Sequence, residues 1–87
     1  MHSPNPIRRI ADSSSVIRKS EAKAANYVLQ HANNVIKMHI VDLAANSDVS
    51  EPIVIRFYRA IGFDGFLYFT LQLAQQLGLG YLVRGGR

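Results

Sequence analysis

Two arginines three residues apart, Arg56 and Arg59, are the residues best placed to do chemistry in this chain. The other chemistries fail on residue type or spacing. There is no cysteine, which excludes a disulfide scaffold, a thiol nucleophile and a Cys-based zinc site. His2, His31 and His39 do not have metal-ligand spacing. Ser14, His31 and Asp42 carry the residue types of a hydrolytic set, but no nucleophile-elbow pattern surrounds the serine. No glycine-rich phosphate loop precedes a Lys-Ser or Lys-Thr pair, and Gly78, Gly80, Gly85 and Gly86 belong to a tail. The expectation is a protein without catalysis, metal or cofactor.

The arginines matter because of the element that must carry them. Val54, Phe57, Tyr58 and Ile61 fall at i, i+3, i+4 and i+7, one apolar face of a helix. Ser50 stands where a helix cap belongs, and Pro52 sits in the first turn, where its missing N–H costs nothing. Gly62 suits the left-handed residue that ends such a helix. With the apolar face turned inward, Ser50, Glu51, Pro52, Ile55, Arg56 and Arg59 are left on the outside. Ahead of this helix, Ile40, Leu43 and Ala44 mark another, and Asn46 to Val49 form a tight turn. Ala44 is small enough for a crossing helix, Asp48 tolerates a left-handed backbone at modest cost, and Val49 plugs the corner. Two short helices joined in this way make a helix-turn-helix. An outward face with two arginines one turn apart suits the major groove of DNA.

The rest of the chain also reads as helix. Ile7, Ile10 and Ala11 predict a short helix ending near the serines, with residues 1–6 as a flexible arm. Ser20 is the expected cap of a helix whose inner face is Ala25, Val28, Leu29 and Ala32. Glu21, Lys23, Asn26 and Gln30 are expected on its solvated side, and Asn33 and Asn34 stop or bend it. A brief helical turn then carries Val35, Ile36 and Met38. Asp64 is the expected cap of a last helix bearing Phe66, Phe69, Leu73 and Leu77, which Gly78 and Gly80 end. No stretch alternates long enough to require a strand. The predicted fold is all-α: a small bundle of five to six short helices, homeodomain-like in containing a helix-turn-helix.

At 87 residues the chain is one small domain, able to bury roughly 60–65% of its unfolded surface. Apolar residues make up 48% and charged residues 18%, which is the composition of a globular chain. Ten Lys and Arg against six Asp and Glu give +4, a mild preference for an anionic partner. Arg8 and Arg9 have no apolar run behind them, so a secretory signal is not expected and the chain is read as cytoplasmic. Residues 65–83 carry no charge, but three glutamines and two glycines make a core helix with an apolar tail the better reading than a membrane span.

The longest informative run is Val49-Ser50-Glu51-Pro52-Ile53-Val54-Ile55-Arg56-Phe57-Tyr58-Arg59-Ala60-Ile61-Gly62-Phe63-Asp64-Gly65-Phe66. With Ser20 to Leu29 and Asp42-Leu43-Ala44, it resembles the N-terminal domain of the RpiR family of bacterial transcriptional regulators, over residues 7–77. The resemblance implies a DNA-binding domain that works as a dimer on pseudo-palindromic operators, with the helix of residues 50–61 reading the bases. It also implies a C-terminal sugar-isomerase-like domain that binds phosphosugars. Residues 78–87 are the Gly-rich tail leading towards it, and a phosphosugar effector would act only through that further domain. His39, Asp48 and Ile53 depart from the Ser or Thr, Gly and Thr usual in the family.

The expected DNA-contacting set is Ser50, Glu51, Pro52, Ile55, Arg56, Arg59, Lys19 and Lys23. Arg56 is assigned to a base edge and Arg59 to a phosphate, while Arg8, Arg9 and Lys37 are expected to be ordinary surface. Phe66, Leu67, Tyr68, Leu71 and Leu79 exceed what a small core can cover and are the expected homodimer seam. The function read from the sequence is a sequence-specific DNA-binding regulator, acting on sugar or carbohydrate metabolism. The alternative is a helical interaction or dimerisation module that has lost DNA binding.

Overall fold

The computed structural model describes residues 5–13 and 17–78. Six helices follow one another: α1 (Pro6–Asp12), α2 (Lys19–Gln30), α3 (Ala32–Val35), α4 (Ile40–Ser47), α5 (Glu51–Ala60) and α6 (Phe66–Gln76). Among the described residues there is no strand, so the all-α expectation holds. α2 packs on both α4 and α5, and these three form the helix-turn-helix unit. α6 lies against α5, α3 and α1 and backs that unit.

Local chemistry sets the helix boundaries, and several differ from the sequence reading. Pro6 falls within the expected arm. It opens α1 instead, buried, with the Asn5 side chain accepting from the Arg8 N–H at 3.1 Å. Proline fits there because that N–H has no helical partner in any case. Ser20 does not cap α2. The cap position is Arg18, whose backbone N–H donates to Glu21 Oε1 at 3.4 Å. Glu21 is buried, not solvated: it lies four residues before Ala25 and seven before Val28, on the inner face of α2, with its carboxylate folded back onto the helix start. Ala24, Ala25 and Val28 complete that face. Leu29, expected inside, is 45% exposed. It lines an open apolar cleft of about 240 Å³ with Ile10, Ala11, Ile17 and Ala22. Asn33 and Asn34 do not end α2. It stops at His31, and both asparagines lie in α3. Nor does Asp64 cap α6, whose cap position is Gly65 with no side-chain bond.

The two turns flanking α5 share one design. Asp48 is left-handed (φ 61°, ψ 45°), its N–H donates to Ala45 O, and the Val49 N–H reaches Ala44 O at 3.0 Å. Gly62 is left-handed (φ 94°), its N–H donates to Arg59 O, and the Phe63 N–H reaches Tyr58 O at 2.9 Å. Each is a Schellman ending, in which two carbonyls of the last helical turn gain donors and the next residue packs inward. Phe63 fulfils that last condition and is completely buried.

The core is the expected α5 stripe meeting aromatic partners. Val54, Phe57, Tyr58 and Ile61 are all buried, as are Leu43 and Ala44. Phe69 of α6 stands among four other rings. It meets Phe57 edge-on at 5.7 Å, Phe63 at 5.7 Å, Tyr58 at 6.3 Å and Phe66 at 6.1 Å. Offset and edge contacts of this kind add about 0.5–1.5 kcal/mol per pair beyond their burial. The arrangement holds the inner side of α5 to α6.

The left-handed turn at Asp48 gives a direct test. Asp48→Val, β-branched and unable to relax there, is expected to cost about 1–2 kcal/mol in urea unfolding. Asp48→Gly, which suits the backbone but frees the unfolded chain, should stay within about 0.5 kcal/mol of wild type. A neutral valine variant would show that the turn does not depend on this conformation.

Candidate nucleic-acid interface

The candidate interface begins where α4 stops. α4 has no capping side chain of its own at His39; instead Asp42, three residues on, accepts from the His39 N–H at 3.0 Å. The His39 ring lies 3.6 Å from the same carboxylate. The helix start that a histidine caps poorly is thus held from inside its first turn. The Asp48 turn then reverses the chain, Val49 tucks half-buried into the corner, and α5 begins. Ser50 takes the cap position with extended backbone. Its carbonyl accepts from the Ile53 and Val54 N–H groups, while its hydroxyl makes no capping bond and is left at the exposed helix start.

Along α5 the expected outer residues are placed one by one. Ser50, Glu51, Pro52, Arg56 and Arg59 are exposed. Ile55 is half-buried, on the shoulder between outer face and core. Glu51 stands in the first turn, where a negative charge complements the helix dipole. Arg59 stands in the last turn, where a positive charge does the same. Among the described residues, neither Arg56 nor Arg59 takes part in an ion pair or a side-chain hydrogen bond. Both guanidinium forks keep all their donors for an outside partner.

The two lysines of α2 fall in different situations. Lys23 lies 3.6 Å from the Asp48 carboxylate, so it is carried to the turn of the motif. Both side chains are largely exposed, at 58% and 96%, so the pair contributes little to stability and leaves the ammonium accessible. Lys19 is exposed at the start of α2, one turn earlier on the same side of the helix.

The expected dimer residues divide. Leu67 (69% exposed) and Tyr68 (41%) face outward on α6. Phe66 and Leu71 are half-buried, and Phe66 packs its ring against Tyr58 and Phe69. Leu79 lies outside the described residues. The sequence reading missed Arg9, which is not ordinary surface. Its guanidinium donates to the carbonyls of Ile61 and Gly62 at the end of α5. The two ends of that contact lie 52 and 53 residues apart, and no local pattern signals them.

A short helix, a left-handed turn and a second helix with a free cationic outer face define a DNA-binding helix-turn-helix domain of the kind found in transcriptional regulators. A family profile described as "Helix-turn-helix domain, rpiR family" matches residues 5–79, and the chain belongs to that family. Among its relatives is the HTH-type transcriptional regulator HexR of Escherichia coli K12, 38% identical over 76 residues. HexR of Pseudomonas aeruginosa is 36% identical over 76 residues. Both matches cover 87% of this chain, but only 26% and 27% of the relatives. The bifunctional protein glk of Paraburkholderia xenovorans is 39% identical over 69 residues, 79% of this chain and 11% of that protein. The chain therefore spans between about a tenth and about a quarter of these relatives' length.

Arginines kept for a partner should matter little to the free domain. Arg56→Ala and Arg59→Ala are each expected to change unfolding free energy by no more than about 0.5 kcal/mol, measured by urea titration. A loss above about 1 kcal/mol in either would mean the guanidinium supports the fold.

Proposed function

We propose that this domain reads duplex DNA sequence-specifically as a homodimer, within a cytoplasmic regulator of sugar or carbohydrate metabolism. The outer face of α5 enters the major groove. Arg56 donates to a base edge, most favourably through a bidentate pair with guanine. Pro52 and Ile55 supply apolar surface of the kind that meets a thymine methyl. Glu51 accepts from a cytosine amino group. Arg59, Ser50, Lys19 and Lys23 hold the phosphate backbone and fix the register. One observation carries this reading: Arg56 and Arg59, unpaired among the described residues, stand on the side of α5 opposite a fully buried Val54 and Phe57.

The dimer reading is supported by the outward Leu67 and Tyr68 on a helix without a charged residue. Two copies joined there or through α1 would present two reading helices to two half-sites. The similarity to whole regulators supports a further domain beyond this one, through which a phosphosugar would act. The relation to the bifunctional proteins extends over the helix-turn-helix part alone and gives no reason to assign this domain an enzymatic activity.

Selection from a random duplex library, using this polypeptide and read by sequencing, tests the proposal. The expected result is an enriched palindrome with half-site centres about 34–36 Å apart. Arg56→Ala should then weaken binding to that duplex by about 1–3 kcal/mol more than binding to random DNA. Enrichment of no duplex, or equal losses on both DNAs, would overturn it; a single unrepeated half-site would remove the dimer.

A further inference from the structure

Resting on the reading of α5 as the DNA-contacting helix, we propose that Arg9 is a positioning residue that fixes the C-terminal end of that helix and so sets the aim of Arg56. Its Nη1 donates to the Ile61 carbonyl at 3.1 Å and to the Gly62 carbonyl at 3.4 Å. Its guanidinium carbon stands 5.0 Å from the centre of the Phe63 ring. A cation stacked on an aromatic face and bonded to helix-end carbonyls is attracted by ring, carbonyls and helix dipole together. The neighbouring Arg8 shows the contrast: it is highly exposed and, among the described residues, pairs only with Asp12 on its own helix.

Gly62 is shaped to this contact. Its φ of 94° already favours glycine. A Cβ built there would also stand 2.5 Å from Arg9 Nη1, so any side chain would push the guanidinium off the carbonyls. The residue that ends α5 is therefore also the one that leaves room for its clamp.

The clamp completes the restraint of α5. The inner stripe fixes the roll of the helix, and the Asp48 turn fixes its start. The far end has the Schellman bonds of its own turn and, from α1, Arg9. α1 also packs against α6, so Arg9 ties the end of α5 to the backing layer. Base recognition needs side chains held within about 0.5 Å and 10–20° of the productive geometry. A helix free to swing at one end loses that, while contacts to phosphate, which carry no sequence information, tolerate it.

The test compares the wild-type chain with Arg9→Met, which removes the donors, and Arg9→Lys, which keeps the charge without the planar fork. The probes are the duplex enriched by the wild-type chain and a scrambled duplex of equal length. Arg9→Met is expected to bind the enriched duplex about tenfold more weakly, the scale of one lost base contact, and the scrambled duplex as wild type does. The dependence on salt should stay the same, and Arg9→Lys should recover part of the loss. Equal losses on both duplexes would reduce Arg9 to a stabiliser of the fold. A salt slope lower by about one would make it a phosphate contact, and no change would leave it without a role. Should Arg9→Met fail to fold, amide exchange at Gly62 and Phe63 in Arg9→Lys decides. Faster exchange there with α5 otherwise protected is expected, and unchanged exchange overturns the clamp. If the wild-type chain itself enriches no duplex, the DNA reading fails and this proposal with it. A wild type that enriches a duplex, matched by Arg9→Met, overturns the positioning role alone.

Discussion

A ten-residue helix has little surface to divide, and the burial of one stripe of α5 determines everything else about it. Val54, Phe57, Tyr58 and Ile61 commit the inner side to the core, where Phe69 joins Phe57 and Tyr58 to the rings of Phe63 and Phe66. At about 1.5–3 kcal/mol for each large apolar side chain buried, that stripe outweighs any exposed ion pair in the domain. The roll of α5 about its axis is therefore set by packing, and the arginines take the side that remains. Their availability follows from apolar geometry and not from electrostatics.

The ends of α5 are secured by backbone chemistry. The left-handed residues Asp48 and Gly62 each close a helix with the same pair of hydrogen bonds. One of them tolerates a side chain and the other does not. Asp48 projects its carboxylate into solvent, where Lys23 meets it, whereas Gly62 sits under the Arg9 guanidinium. The same turn geometry thus serves a solvent-facing corner at one end and a crowded joint at the other.

What the sequence disclosed is what local spacing controls. The α4–turn–α5 unit was legible because the apolar repeat, Pro52 and the left-handed candidates all lie within a few residues of the structure they specify. The outward placement of Arg56 and Arg59 followed from the same repeat. The helix starts were less legible, because the groups that satisfied them were not the expected ones. Glu21 and Asp42 reach back from the third helical position, and α6 starts at Gly65 without a side-chain cap. Glu21 was legible in principle: it lies four residues before Ala25 and seven before Val28, on the same face of α2, and its charge masked that spacing. The Lys23–Asp48 and Arg9–Ile61 contacts were hidden for another reason. Each joins residues far apart in the chain, and no short-range pattern encodes such a meeting.

The account depends on the outer face of α5, and not the apolar face of α6, being the surface that meets nucleic acid. Amide chemical shifts of the isotopically labelled chain, followed through a titration with a mixed-sequence duplex at low salt, test this most directly. The account predicts the largest changes at Ser50, Glu51, Arg56 and Arg59, fading as salt is raised. Changes centred on Leu67 and Tyr68, with α5 silent, would contradict it.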